Sequence, residues 1–304
     1  MENPLLAVSE ELANAVERAG KFVVAVSARP RLSSSGIYWR DGIIVTADHT
    51  IKRTEEITAT LPDGRSVPAR LAGRDPGTDL AVLKVDGAGL AAAEFGPAES
   101  LRAGNLVLAV GRSEEAGVNA AMGVISNVGG PWRTWRGGRV DQFVRLDLSL
   151  YPGSSGGALV DAQGRVLGLA TSGLSRSAPL AIPAATIERV AGELLAKGHI
   201  ARGFLGLGLQ PVLLPDHLRS SLALAERSGL IVLSVEPGGP AERAGAVLGD
   251  VLLGLDGKPL RDTDDVQAFL EAEFVGKAVQ ARMVRGGALT EFPITIGERP
   301  RRGE

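Results

Sequence analysis

Three residues of this chain have the types and the order that acyl-transfer chemistry needs. His49 follows an apolar run, Asp79 precedes another, and Ser155 lies inside the glycine-rich segment Gly153–Gly157. A serine hydroxyl is a weak nucleophile unless a histidine takes its proton, and an acid must fix the tautomer of that histidine. The order predicts His49 as base, Asp79 as orienting acid and Ser155 as nucleophile.

The glycines beside Ser155 fit the same chemistry. Gly153 has no side chain, so its amide and that of Ser155 can face a developing oxyanion. The segment also fits a plain polar turn, because glycine adopts positive φ without steric cost. A third possibility is the nucleophile elbow of α/β-hydrolases, with His199 or His217 as base, but that elbow needs a helix after the serine. Residues 158–169 instead indicate strand, turn and strand.

Two other acids compete with Asp79 for the orienting role. Asp48 adjoins His49, but neighbouring residues of an extended chain point in opposite directions. Asp75 lies before a proline in a turn. Asp79 therefore remains the better candidate.

The elements that must position these residues are mostly short strands. Residues 22–175 contain β-branched runs separated by Gly, Pro, Asp and Asn, which favours a sandwich or barrels. A helical pattern covers residues 184–197, with a proline before it and a glycine after it as the stop signal. A shorter helix is expected over 9–19. Residues 203–297 predict a small domain of five strands with a helix near 264–273.

Composition narrows the class of protein. The chain has 304 residues, which is enough for two domains. Its 33 Lys and Arg and 35 Asp and Glu give a net charge of −2, so no strong field attracts nucleic acid or an anionic membrane. The chain has no cysteine, which excludes disulfides, thiolate metal sites and cysteine nucleophiles. We expect no metal and no cofactor.

The N-terminal residues carry no export signature. They lack a basic region followed by an apolar stretch, and no segment reaches the ~18–20 apolar residues of a membrane span. We therefore expect no membrane span and a cytoplasmic location.

Three sequence blocks together resemble the HtrA/Deg serine proteases. They are Thr46–His49, Gly73–Val85 and Pro152–Leu159, and they occur in the order and spacing of that family. The resemblance covers about residues 20–297. It implies a mainly β fold, with a chymotrypsin/trypsin-like double β-barrel followed by a PDZ domain, and the catalytic residues between the barrels. It also leaves a periplasmic location open.

The resemblance divides the chain into five parts. These are an N-terminal helical segment (1–20), a trypsin-like protease domain (21–183), a linker helix (184–202), a PDZ domain (203–297) and a charged tail with a frayed end (298–304).

The resemblance also implies a specificity pocket. In trypsin-like folds the residue six before the nucleophile lies near the base of this pocket, and here it is Ser149. The wall would be formed by Thr171, Ser172 and Gly173. None of these residues is acidic, so an Arg or Lys side chain would be buried without a partner. We predict cleavage after small or medium aliphatic residues.

In the C-terminal part, Phe204, Leu205, Gly206 and Leu207 match the carboxylate-binding loop of the family's PDZ domains. In that mode a peptide adds a strand to the sheet edge and loop amides hold its C-terminal carboxylate. The alternative is a PDZ domain used only for packing or assembly. The resemblance further implies unfolded polypeptides as substrates and a possible homotrimer.

The segment 129–138 carries Trp132, Trp135 and two arginines. Such a loop can stack on single-stranded nucleic acid, but the charge balance argues against a nucleic-acid partner. We favour a loop beside the active-site cleft that contacts substrate or the PDZ domain, with a plainly packed hairpin as the alternative.

Together with the predicted triad, the resemblance implies a serine endopeptidase acting on unfolded or misfolded proteins, in protein quality control. Two alternatives remain: a catalytically silent PDZ scaffold or chaperone-like protein, and a non-peptidase acyl hydrolase.

Overall fold

The computed structural model describes residues 3–96 and 101–299. These residues form two compact units, which divide between Ile200 and Ala201. Each unit buries its own apolar side chains. Among the described residues, no helix has the length and apolar character needed to cross a bilayer.

The first barrel of the first unit is a closed sheet of six antiparallel strands. Its strands are β1 (Val23–Ser27), β2 (Ser34–Arg40), β3 (Ile43–Ala47), β4 (Ile57–Thr60), β5 (Ser66–Asp75) and β6 (Leu80–Val85). They close in the order β1-β2-β3-β6-β5-β4.

The second barrel of the first unit is also closed and six-stranded. The strands of this region are β7 (Leu106–Ser113), β8 (Gly117–Val128), β9 (Trp132–Arg133), β10 (Arg139–Val140), β11 (Val144–Asp147), β12 (Ala158–Val160), β13 (Val166–Thr171) and β14 (Leu180–Pro183). The barrel order is β11-β14-β13-β12-β7-β8, while β9 and β10 form a separate hairpin. The expected double barrel is confirmed.

Two helices pack on the barrels. Helix α1 (Pro4–Gly20) begins five residues earlier than the pattern predicts. Asn3 caps it by accepting a hydrogen bond from the Leu5 amide, and Pro4 occupies the first helical position, where its missing N–H costs nothing. Helix α2 (Ala184–Lys197) has the predicted bounds, and Gly198 ends it in a left-handed conformation. The apolar face of α2 packs against β5, β6 and β13.

The second unit is a twisted antiparallel sheet with short helices. Its elements are β15 (Gly203–Phe204), β16 (Leu207–Leu213), α3 (Asp216–Ser221), β17 (Ser228–Val235), α4 (Pro240–Arg243), β18 (Val251–Leu255), β19 (Lys258–Pro259), α5 (Thr263–Gln267), β20 (Ala278–Arg285), β21 (Ala288–Thr295) and β22 (Gly297–Glu298). The main sheet has the order β16-β17-β18-β20-β21, so β16 lies at one edge.

Two expectations for this unit need correction. The helix expected near 264–273 ends at Gln267 and continues only as short 3₁₀ turns, because Glu271 adopts an extended conformation between them. The tail expected from residue 298 begins later, since Glu298 pairs with Gly203 in the β15–β22 ladder. The rest of that predicted tail, residues 300–304, lies outside the described residues.

Candidate active site

Strand register brings His49 and Asp79 together. In the antiparallel pair of β3 and β6, Ala47 lies opposite Leu80. The residue just before β6 and the residues just after β3 therefore meet at the same end of the barrel. His49 lies there in the 3₁₀ turn Asp48–Thr50, and Asp79 takes a left-handed conformation with φ of 59°.

The side chains of His49 and Asp79 form a close pair. His49 Nδ1 lies 3.0 Å from Oδ1 and 2.9 Å from Oδ2 of Asp79, and the His49 amide donates to Oδ1 at 2.9 Å. The carboxylate is 1% exposed, whereas the imidazole is 26% exposed. An ionised carboxylate only accepts hydrogen bonds, so Nδ1 carries the hydrogen and Nε2 is left as the basic nitrogen.

The second barrel supports this acid. Thr171, at the end of β13, donates from Oγ1 to Oδ2 of Asp79 at 2.5 Å. Gly173 lies so close that an added Cβ would be 2.5 Å from both Asp79 Oδ2 and His49 Nδ1. Sequence analysis considers Thr171 and Gly173 only as pocket wall and misses these contacts, because they depend on how the two barrels meet.

The two competing acids have other partners. The Asp48 carboxylate pairs with Arg74 Nε at 2.5 Å. Burial raises the pKa of the Asp48 carboxyl above its ordinary value, although Arg74 acts in the opposite direction. Asp75 accepts from the amides of Gly77 and Thr78, which shapes the turn before Asp79.

Ser155 lies in the turn between β11 and β12 and is 8% exposed. Its Oγ lies 3.1 Å from Ser172 Oγ and accepts from the Ser172 amide at 3.3 Å. Across the described residues, no hydrogen bond joins Ser155 to His49. The hydroxyl group of the candidate nucleophile therefore contacts Ser172, which lies in the segment that follows β13.

The turn around Ser155 needs its glycines. Gly153 and Gly156 both have φ of 92°. An added Cβ would lie 2.8 Å from the Ser33 carbonyl oxygen at Gly153, and 2.2 Å from the Ser35 carbonyl oxygen at Gly156. The amides of Gly153 and Ser155 donate to no acceptor among the described residues. Two unpaired amides on one turn are the donors that an oxyanion requires.

The remaining predicted pocket residues differ in exposure. Ser149 and Ser172 are exposed, Gly173 is half-buried and Thr171 is fully buried. Thr171 thus faces Asp79 rather than solvent. Of the other two histidines, His217 is exposed and His199 Nδ1 lies 3.0 Å from the Lys197 carbonyl oxygen.

The tryptophan segment forms the β9–β10 hairpin. Trp132 packs edge-on against Phe143, with ring centroids 5.4 Å apart. Thr134 donates from Oγ1 to the Gly77 carbonyl oxygen at 2.7 Å, two residues before Asp79. Trp135 is 74% exposed at the tip. The hairpin is therefore packed at its base, contacts the turn of the acid and presents one aromatic ring to solvent.

A groove lies beside the edge strand of the second unit. Its lining includes the whole predicted loop, Phe204, Leu205, Gly206 and Leu207, together with Leu209, Val266, Gln267, Leu270 and Arg299. Gly206 has φ of 76°, which turns the chain between β15 and β16. One side of β16 has no neighbouring strand in the sheet that the described residues form.

Curated proteins resemble this chain along most of its length. The sequence matches the family profile of the trypsin-like peptidase domain over residues 34–169 and that of the PDZ domain over residues 231–274. A probable periplasmic serine endoprotease DegP-like of Brucella suis biovar 1 (strain 1330) is 34% identical over 280 residues, covering 90% of this chain and 54% of the relative. The corresponding protein of Rhizobium meliloti (strain 1021) is 33% identical, with the same coverage. The chain spans about half the length of these curated relatives.

Solved structures resemble it as well. The HtrA-type protease AlgW with a decapeptide superimposes with a TM-score of 0.76 at 30% identity, covering 95% of this chain and 99% of that one. The serine endoprotease from Yersinia pestis gives a TM-score of 0.77 at 30% identity, covering 95% and 98%.

Proposed function

Because this chain belongs to the HtrA/Deg family of trypsin-like serine proteases with a PDZ domain, we propose that it is a serine endopeptidase. It hydrolyses internal peptide bonds of unfolded or misfolded proteins. The observation that carries the proposal is the exposed edge of the His49 imidazole held by the buried Asp79 carboxylate.

Each catalytic residue has a defined step. Ser155 leaves its contact with Ser172, and His49 Nε2 takes the hydroxyl proton as Oγ attacks the scissile carbonyl carbon. The carbonyl oxygen becomes an oxyanion that the amides of Gly153 and Ser155 bind. The imidazolium then gives its proton to the leaving amine as the C–N bond breaks. Water hydrolyses the acyl-enzyme with His49 again as base.

Specificity belongs to the same proposal. Ser149, Ser172 and Gly173 offer no negative charge to a substrate side chain, which supports cleavage after small or medium aliphatic residues. The groove beside β16 takes C-terminal peptides, with the amides of the Phe204–Leu207 loop on the carboxylate. The sequence predicts a protease domain over 21–183, a linker helix over 184–202 and a PDZ domain over 203–297. We propose instead that α2 belongs to the protease domain, because its apolar face packs against β5, β6 and β13, and that the PDZ domain includes Glu298, which pairs with Gly203.

Assembly and location complete the proposal. The curated relatives are named periplasmic, which supports a periplasmic location for the whole protein. A homotrimer is the proposed assembly, and the exposed Leu5 and Leu6 of α1 provide apolar surface for it. Light scattering of the purified chain tests the oligomeric state.

The Ser155–Ser172 contact keeps one alternative open, a silent PDZ scaffold whose serine never engages His49. The test compares wild type with Ser155→Ala on an unfolded casein-type substrate, together with a fluorophosphonate probe and peptide mapping. Label on Ser155 with cleavage lost in the variant is the expected result. Absence of label would favour the scaffold, and label without cleavage of protein would favour another acyl substrate.

A further inference from the structure

We propose that Ser35, on the first barrel, is a positioning residue that shapes the oxyanion-binding turn of the second barrel. The inference rests on the proposed protease function. Ser35 contacts this turn twice: its amide donates to the Ser155 carbonyl oxygen at 3.2 Å, and its Oγ donates to the Gly153 carbonyl oxygen at 2.9 Å. It contacts no substrate and acts only through the turn.

The hydroxyl of Ser35 is itself oriented. Its Oγ accepts from the Arg112 amide at 3.0 Å, and the acceptors within reach of its own hydrogen are the Gly153 carbonyl oxygen at 2.9 Å and the Arg112 carbonyl oxygen at 3.4 Å. Ser35 is fully buried, and its carbonyl oxygen accepts from Thr46 Oγ1 at 2.6 Å. Of the two acceptors for the hydroxyl hydrogen, the Gly153 carbonyl oxygen is at the ordinary hydrogen-bond distance and that of Arg112 is at the long limit, so the bond to Gly153 is the stronger one.

The contact with Gly153 matters because glycine adopts either sign of φ readily. The peptide group that follows Gly153 is held at both ends: Ser35 binds its carbonyl oxygen, and its N–H, that of Ser154, donates to the Tyr151 carbonyl oxygen at 2.9 Å. Without Ser35 Oγ, one end of this peptide group is free and the Gly153 conformation is no longer fixed.

The peptide group that follows Ser155 is held in the same way. Ser35 N–H binds its carbonyl oxygen, and the Gly156 N–H donates to the Ala170 carbonyl oxygen at 2.9 Å. Between the two, the Ser154 carbonyl oxygen accepts from the Gly157 amide at 3.0 Å. Within the described segment Gly153–Gly157, the amides that lack an acceptor are those of Gly153 and Ser155. Ser35 therefore helps to fix the direction of the Gly153 and Ser155 N–H groups and leaves both free to bind an oxyanion.

The test uses two adjacent serines of β2. Ser34 and Ser35 are both fully buried, but they point to opposite faces of the strand. Ser34 Oγ donates to the Val26 carbonyl oxygen at 3.3 Å, away from the turn. Ser34→Ala is therefore a matched control that removes a buried hydroxyl without changing the contacts of Ser155.

We expect Ser35→Ala to lower kcat about 10- to 100-fold, less than the direct loss of an oxyanion donor, with KM within about 3-fold of wild type. A peptidyl trifluoromethyl ketone gives a second readout. Ser155 Oγ bonds to its carbonyl carbon, the hydroxyl proton passes to His49, and the carbonyl electron pair becomes an oxyanion. Its inhibition constant should rise by about the same factor as kcat falls, because both depend on oxyanion binding.

Equal effects of Ser34→Ala and Ser35→Ala would overturn the inference, as would a change in KM alone. If Ser35→Ala does not fold, Ser35→Cys is measured in the same way, since its thiol fills the site but is a weak donor. A wild-type chain that neither cleaves casein nor forms the ketone adduct would refute the proposed function itself, whereas an active wild type with an unaffected Ser35 variant would refute only the role of Ser35.

Discussion

Gly173→Ala should inactivate the site without unfolding the protein. The new methyl group would lie 2.5 Å from His49 Nδ1 and from Asp79 Oδ2, while ordinary contact begins at 3.4 Å. Either the His49–Asp79 pair or the segment after β13 that carries Gly173 must therefore move by about 1 Å. Asp79 is buried and bonded to Thr171, so the imidazole takes up most of this shift.

A misplacement of ~1 Å in a catalytic group costs about 100-fold in rate, which corresponds to about 2.7 kcal/mol in the activation barrier. Gly173 has no positive φ, so alanine brings no backbone strain and the loss comes from the contact alone. The assay is kcat/KM on a fluorogenic peptide with an aliphatic residue at the cleavage site, together with the rate of fluorophosphonate labelling.

Gly192→Ala is the matched control. Gly192 lies in α2, and a Cβ added there would meet nothing within 4 Å apart from its chain neighbours and the backbone of its own helix, so alanine should stabilise the helix by up to about 1 kcal/mol and leave activity unchanged. Tryptophan fluorescence checks folding, because all three tryptophans lie in the first unit. A folded Gly173→Ala variant with activity within about 3-fold of wild type would refute the contact argument.

Two further predictions concern buried carboxylates. Thr171→Val keeps the side-chain volume but removes the hydrogen bond to ionised Asp79, which is worth about 1.5–3 kcal/mol, so kcat/KM should fall about 10- to 100-fold; wild-type activity would contradict this support. In the second unit burial alone would raise the pKa of Asp250, but the hydrogen bond and charge of Arg285 and a backbone amide lower it. The stability that this carboxylate contributes is thus present above its unfolded pKa and lost as the pH falls through its lower folded pKa. Calorimetry should show that Arg285→Met destabilises the second unit at about pH 7 and that the difference from wild type shrinks towards about pH 3; a difference independent of pH would exclude the pair as its source.

Some of the site follows from local sequence. His49 lies just after β3 and Asp79 just before β6, and the chain order of His, Asp and Ser predicts that the two residues act together. The pairing that brings them to the same end of the barrel joins two strands that are not consecutive in the chain. The end of helix α2 can also be predicted, because Gly198 follows it directly in the sequence. Two features depend on the fit between barrels, namely the hydrogen bond from Thr171 to Asp79 and the hydrogen bonds from Ser35 to the Ser155 turn. The contact of Ser155 with Ser172 lies within the second barrel and depends on how the segment after β13 packs against the turn before β12. No periodicity or motif encodes such contacts, because the partners are 17 to 120 positions apart.

The cap of α1 shows a different limit. Asn3 and Pro4 are a recognisable start signal, yet the apolar positions that follow, Leu5 and Leu6, are exposed rather than packed. A prediction based on buried apolar positions therefore places the start of α1 too late, because the N-terminal end of this helix is set by capping and not by burial.

Each barrel donates a hydrogen bond from a side chain to a residue of the other barrel. Thr171 of the second barrel holds the acid of the first, and Ser35 of the first barrel holds the nucleophile turn of the second. Neither half of the machinery is complete in a chain where only one barrel has formed, or where the two have not docked. If the proposed catalytic roles are correct, peptide-bond cleavage therefore requires that both barrels have folded and docked.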